Sequence, residues 1–460
     1  MALDAAHWQD RLTTLAEKRG VVGATFAIGL GDETVTAATG VLNLRGQAPA
    51  TPESVFQIGS ITKVWTAVLV LQLVDEGLLD LDKPVVDYLP EFRVADEEVT
   101  RTVTTRHLLT HTSGIDGDLF LDTGRGDDCL EKYVAAMADL KQNHPLGATM
   151  SYCNSGYSAL GRLVEVVRGK TWDTVLREQL LTPLGLTSAG TLPEEALLYG
   201  AATGHITPPG SDEPIVTPQW GIFRSCGPAG LIHMTAADLL AFARLHLAGG
   251  VTADGTRLLS EESIAAMQQP EVAIPDPYIL GSHWSLGWIL MDWSGRRVFG
   301  HDGSTLGQGG FLRILPDAGL SVSLLCNGGH MRELFEDLFD EVFSELAGVN
   351  LPPRLEPAAE PGDIDAAAYA GRYVREGVEM TVEPADDGLQ LTMRSTGALA
   401  ASMGDQEPTR VSMRRVEGDI FVVREKPDEP WTSAVFYDVP GGGRYLHFGV
   451  RATPRVEVSS

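Results

Sequence analysis

Apolar positions recur along the chain with two periods, and the change from one to the other marks out its elements. Over residues 1–18 (MALDAAHWQDRLTTLAEK) they fall on one face of a helix. Over 21–31 (VVGATFAIGLG) and 33–43 (ETVTAATGVLN) the pattern is that of strands, and Gly31-Asp32 between them predicts a hairpin. From Ile61 to about Leu79 the helical period returns, with Gly59-Ser60 just ahead of it. TTRHLLTHTSG (104–114) opens on a helix-start signal and stops at Gly114. Two further helices are predicted over SGYSALGRLVEVVRG (155–169) and TAADLLAFARLHLAGG (235–250), the second capped by Thr235 and ended by glycines. RRVFGHDG, GGFLRILPDAG and LSVSLLCNGG (296–329) alternate around Gly, Asp and Pro turns as sheet strands do. MRELFEDLFDEVFSEL (331–346) is an amphipathic helix.

The order is helix, two strands, a helical insert, three strands and a closing helix. It predicts an α/β sandwich whose sheet is assembled from both ends of the segment. NLPPRLEPAAEPGDI (350–364) then reads as a Pro/Glu-rich linker. Beyond it come the short runs GRYV, MTVEPADDGLQLTM, TRVSMRRVEGDIFVVRE, WTSAVFYDV and RYLHFGV, whose spacing predicts a small antiparallel β-barrel. The expected division is a first domain over 1–350, a linker over 351–365 and a barrel over 366–460. Trp431, Phe436 and Tyr445 are expected in the barrel core.

Composition narrows the partners more than the fold. With 460 residues, 43% apolar and 21% charged, the chain is long enough for two domains of ordinary globular make-up. A net charge of -27 argues against nucleic acid or an anionic membrane as partner, since both call for basic patches. The first residues lack a basic segment followed by an apolar one, and VWTAVLVLQLV (64–74) is too short to span a bilayer, so a cytoplasmic location is expected. The four cysteines form neither a disulfide framework nor a metal-type pair, and no cofactor or metal is expected.

Candidate chemistry begins at Ser60-Ile61-Thr62-Lys63. Residues at i and i+3 share a helix face, so the hydroxyl and the amine can meet. Serine is a weak nucleophile until a base takes its proton, and a desolvated lysine can be that base. The flanks Val55, Phe56, Ile58, Val64 and Trp65 set Lys63 on a largely buried helix. Tyr152-Cys153-Asn154 precedes a helix and offers a phenol for proton transfer and an amide for a substrate carbonyl; alone, it also fits a core tyrosine before a turn. In His301-Asp302-Gly303 the glycine lets a substrate backbone approach a strand edge, and the histidine suits carboxylate binding or proton transfer. HLLTHTSGI (107–115) reads as scaffolding.

FQIGSITK, HLLTHTSGI, SYCNSGYSALG, CGPAGLIHMTAADLLAFA and HDG stand in the order and spacing of the class C β-lactamases, which the chain resembles over roughly 20–345. D-alanyl-D-alanine carboxypeptidases, D-aminopeptidases and esterases share the pattern. The resemblance implies the β-lactamase/penicillin-binding-protein-like fold, an antiparallel sheet flanked by helices plus an all-helical subdomain. It implies an acyl-enzyme on Ser60 with Lys63 as its base, Tyr152 as proton carrier and Asn154 as orienting amide. His301, Asp302 and Gly303 would form the third motif, Asp302 and Gly303 against the substrate, and the backbone N–H groups of Ser60 and Ser304 would form the oxyanion hole. His301 stands where β-lactamases usually carry lysine, which points away from antibiotic hydrolysis.

YAGRY (369–373) opens a segment that resembles the lipocalin-like domain of some relatives. With the missing export signal, it makes the chain most similar to the penicillin-binding-protein-type thioesterases, which close nonribosomal peptides head to tail. The implied partner is a peptidyl substrate delivered by a carrier protein. A D-stereospecific peptidase or esterase acting on a peptide or ester is the alternative, ahead of a β-lactamase or a non-catalytic binding protein. Arg451 is the candidate substrate contact from the barrel, or else a solvated strand-edge arginine.

Overall fold

The computed structural model describes residues 3–208, 211, 213–360, 362–385, 388–396, 407–426 and 429–456. Helix α1 (Ala5–Lys18) starts where the Asp4 carboxylate accepts from the N–H groups of Ala6 and His7, at 3.0 and 3.1 Å. After it come the hairpin β1 (Gly23–Leu30) and β2 (Glu33–Gly40), then helices α2 (Thr62–Asp75), α3 (Thr105–Leu109), α4 (Asn154–Arg168) and α5 (Ala236–Leu247). The chain returns to the sheet through β3 (Val272–Ala273), β4 (His283–Trp284), β5 (Ile289–Trp293), β6 (Arg296–Thr305), β7 (Gln308–Leu315) and β8 (Leu320–Cys326), and closes with α6 (Met331–Ala347).

Among the described residues these strands form one eight-stranded sheet in the order β2-β1-β8-β7-β6-β5-β4-β3. β1 pairs with β8 from the far end of the segment (Phe26 opposite Leu324), as the strand order in the sequence anticipates. Alternation along β1 feeds both layers. Phe26 and Ile28 pack with Trp8 and Leu12 of α1 and Leu338 and Phe339 of α6, while Ala27 joins the core formed with α2, α4 and α5.

Two helices are shorter than their sequence patterns. α2 stops at Asp75 because Gly77 takes φ 69° and Leu78 N–H turns back to the Leu73 carbonyl at 2.9 Å. α3 ends at Leu109, ahead of His111 at φ 58°, a left-handed conformation that non-glycine residues adopt at a cost.

The C-terminal strands β9 (Gly371–Arg375), β10 (Val378–Ala385), β11 (Gly388–Ser395), β12 (Thr409–Glu417), β13 (Ile420–Val423), β14 (Thr432–Val439), β15 (Gly443–Phe448) and β16 (Arg451–Val456) form a closed antiparallel barrel. It closes where Arg372 and Tyr373 of β9 meet Val456 and Arg455 of β16. Tyr373, Met380, Phe421, Phe436 and Leu446 fill it. Tyr445 is buried too, but outside that cluster, with its phenol donating to the Asn143 carbonyl at 2.9 Å. Trp431 departs from the core expectation: it is part-exposed, with the Arg424 guanidinium 4.2 Å from its ring centre.

The barrel is docked on the first part of the chain by buried contacts. Ser433 Oγ donates to Asp276 Oδ2 at 2.7 Å. Tyr152 N–H donates to the Val450 carbonyl at 3.1 Å, and Ala452 N–H to Ser151 Oγ at 3.2 Å. Among the described residues no helix is long and apolar enough to cross a membrane.

Candidate active site

Ser60 lies in the 3-10 turn Gly59–Ile61 that leads into α2. Gly59 takes φ 52°, and a Cβ there would come within 2.4 Å of Ser304 N on β6. A Cβ on Gly303 would come within 1.8 Å of the Ile58 carbonyl oxygen and 3.0 Å of Ser60 N. Two glycines thus let the strand and the turn touch backbone to backbone, which sets the N–H groups of Ser60 and Ser304 side by side.

Lys63 is fully buried on α2 and donates to Ser60 Oγ at 3.1 Å and to the Ala229 carbonyl at 2.7 Å. The turn carrying Ala229, Gly227–Gly230, is seated by α4: Gly161 leaves so little room that a Cβ would fall 2.1 Å from Pro228. Burial drives the Lys63 pKa well below its ordinary value, and the Arg451 cation pushes it further, against the pull of Asp118. That shift favours the neutral amine, the form whose lone pair can take the serine proton.

Tyr152 sits 4.8 Å from Lys63 Nζ, measured to its ring centre. Burial raises its pKa above the ordinary phenol value, opposed by a hydrogen bond with Ser60 and by Arg451. His111 of the HTSG segment stacks on the Tyr152 ring at 4.4 Å and accepts the Cys153 N–H on Nδ1 at 3.0 Å. That bond puts the ring proton on Nε2. Its ring also meets the edge of Trp284. The segment read as scaffolding therefore also packs directly on the tyrosine.

His301 is buried on β6, and burial lowers its pKa to about 3, helped by Lys63. Its Nδ1 donates to the Asp302 carbonyl at 2.5 Å, which leaves Nε2 as an acceptor with no hydrogen-bond partner among the described residues. Asp302 points to the opposite face of the strand. There its oxygens meet the buried Arg313 and the part-exposed Arg332, both at 2.5 Å, so this carboxylate is taken up by arginines rather than turned toward Ser60. Burial acts to raise the Asp302 pKa, but the two guanidinium groups hold it down at about 2. Asp302→Ala is expected to lower stability by about 3–5 kcal/mol, because Arg313 would stay buried without its counter-charge; urea unfolding of the two proteins measures it.

Asn154 begins α4 and donates from Nδ2 to Asp118 Oδ1 at 3.1 Å. Arg451, on β16, reaches the same group from the barrel: its guanidinium lies 5.4 Å from the Tyr152 ring centre and pairs with Asp118. The structure thus brings Ser60, Lys63, Tyr152, Asn154, His301, Gly303, Ser304 and Arg451 together and leaves Asp302 aside. Asp118 was missed by sequence reading; its signal, a second acidic residue in IDGD after the HTSG segment, is too short to stand out. Among the described residues no cluster of three or more His, Cys, Asp or Glu side chains is placed to hold a metal ion.

Residues 8–346 match the family model described as Beta-lactamase. The chain is 49% identical over 379 residues to "Penicillin-binding protein 4" of Amycolatopsis lactamdurans, an alignment covering 82% of this chain and 99% of that one. The crystal structure of SurE with D-Leu superposes with a TM-score of 0.75 at 27% identity, over 98% of this chain and 99% of that one. The D-amino acid amidase of Ochrobactrum anthropi SV3, complexed with D-phenylalanine, superposes over 74% of this chain and 100% of that one with a TM-score of 0.62. At 21% identity that likeness shows the fold alone.

Proposed function

This chain belongs to the β-lactamase family of serine hydrolases and acyl-transfer enzymes, and from that premise we propose that it is a penicillin-binding-protein-type thioesterase that closes a nonribosomal peptidyl thioester head to tail, with hydrolysis as a side reaction. The observation that carries this reading is the barrel strand lying on Tyr152, with the Val450 carbonyl on its N–H and Arg451 against its ring. A cyclase must keep water from the acyl-enzyme while an amine attacks, and a domain seated on the proton carrier suits that task. The match to SurE with D-Leu, which spans the barrel as well as the family domain, supports it.

In this mechanism neutral Lys63 takes the Ser60 proton as Oγ attacks the thioester carbonyl. The oxyanion is held by the N–H groups of Ser60 and Ser304. The carrier thiolate leaves, and Tyr152 gives it the phenol proton and is left as the phenolate. Asn154 orients the peptide and His301 Nε2 accepts an N–H of the incoming amine, while Arg451 lies against the Tyr152 ring from the barrel side. When that amine attacks the ester, its surplus proton passes to the Tyr152 phenolate, and Ser60 leaves and recovers its proton from the Lys63 ammonium. The neutral His301 supplies no fixed cation for a β-lactam carboxylate.

A penicillin-reactive or D-specific hydrolase is the second reading, favoured by the likeness to Penicillin-binding protein 4. The two part on one measurement. Incubated with a linear peptidyl thioester mimic carrying a D-residue at its C-terminal end, the enzyme should release a product lighter than the linear acid by one water. Linear acid alone, seen by mass spectrometry, would move the assignment to a hydrolase.

A further inference from the structure

The carboxylate of Asp118 is the point at which three elements of the site meet. Oδ1 accepts from Arg451 Nη2 at 2.7 Å and from Asn154 Nδ2 at 3.1 Å. Oδ2 accepts from Arg375 Nη1 at 3.2 Å and also pairs with Arg451 Nε. The third nitrogen of that guanidinium, Nη1, donates to the Gly449 carbonyl at 2.9 Å. The Arg451 and Asp118 side chains are only 18% and 15% exposed. The edge of Arg451 that would grip a substrate carboxylate is the edge Asp118 already holds.

We propose that Asp118 is a positioning residue of the acylation centre: it fixes the Arg451 guanidinium against the Tyr152 ring and turns the Asn154 amide, so that the barrel and the second motif act on the tyrosine as one unit. The proposal rests on the acyl-transfer reading of Ser60 and Tyr152. Three physical points carry it. A carboxylate accepts and does not donate, so the Asn154 nitrogen must face Asp118 and its carbonyl oxygen must face elsewhere. A guanidinium held through two nitrogens by one carboxylate has its plane fixed, whereas a free arginine would sample many rotamers. A cation held within about 6 Å of a phenol ring centre favours the phenolate, the form that accepts a proton.

Arg375 supplies the control. It reaches Asp118 from β9, and among the described residues its guanidinium donates to Asp118 and the Glu376 carbonyl rather than to Tyr152 or Asn154. Losing Arg375 therefore weakens barrel docking while leaving Arg451 in place.

The test is steady-state turnover of p-nitrophenyl acetate by the full chain, with Ser60→Ala as the blank. Asp118→Ala is expected to lower kcat at least about tenfold while KM moves less than about threefold. Adding Arg451→Met to it should cost little more than the worse single change, since the two act through one contact. Arg375→Met should keep kcat within about threefold of wild type. Asp118→Asn, which retains an acceptor for Arg451, should recover part of the loss. It serves as the decisive variant should the alanine protein fail to fold. The proposal is overturned by equal losses from Arg375→Met and Asp118→Ala, by an effect on KM alone, by additive losses with Arg451→Met, or by no recovery in Asp118→Asn. Wild-type protein without Ser60-dependent turnover would instead overturn the acyl-transfer reading itself.

Discussion

Ser60→Ala protein should take up no label from a fluorophosphonate probe, and its turnover should fall by about 10,000-fold or more, the scale seen when a serine enzyme loses its nucleophile. The residue sits where α2 begins, its hydroxyl 3.1 Å from a buried amine and its backbone N–H beside that of Ser304. Removing one oxygen leaves that frame intact, so the variant should fold and keep binding substrate. Whatever rate survives would come from the backbone donors and from positioning. Intact mass spectrometry decides the matter: an adduct on the alanine protein would show that another residue is acylated.

Lys63→Met should separate activity from stability. General-base catalysis is worth about 100- to 10,000-fold, and a loss in that range is expected because methionine has no proton acceptor strong enough for the serine. Stability should move the other way. The Lys63 pKa is held well below its ordinary value in the folded protein, by burial before all else. Between the folded and unfolded pKa the unfolded chain binds more protons, so this lysine destabilises the fold there, and the penalty grows as pH falls. A buried methionine carries no such penalty. Thermal midpoints should therefore be higher for the variant than for wild type, with a wider gap at pH 6 than at pH 9. In wild type, kcat/KM should fall on the acid side as Lys63 becomes protonated; a midpoint that drops in the variant at every pH would argue that the amine is held charged.

Much of the layout of the family domain was legible because those elements carry their own local signals; the short strands β3, β4 and β5 carry none and were not anticipated. The Gly31-Asp32 turn, the Thr235 cap and the alternation of 296–329 are all readable in windows shorter than a helix, whereas the stop at Gly77 was read through to Leu79. Ser60 and Lys63 were legible for the same reason, three residues apart on one helix face. Asp302 was misjudged because sequence order places it inside a motif, whereas strand pleating sends it to the far face, where Arg313 and Arg332 wait. Asp118 was invisible because its meaning depends on arginines 257 and 333 residues away. β16 was underestimated too: RATPRV, with a proline and two arginines, lacks an apolar alternation, and it becomes a strand by closing the barrel against β9.

That last strand ties the site together across the chain in a way that has a consequence for how the protein is made. The Ser151 hydroxyl meets the Ala452 amide 301 residues later, and the Tyr152 amide meets Val450 beside it. Chains grow on the ribosome at about 5–20 residues per second, so roughly 15–60 s separate the synthesis of the tyrosine from that of its covering strand. For that interval the nascent chain carries the serine, the lysine and the tyrosine with one wall of the site still unmade, open to water and to chance acyl donors in the surrounding medium.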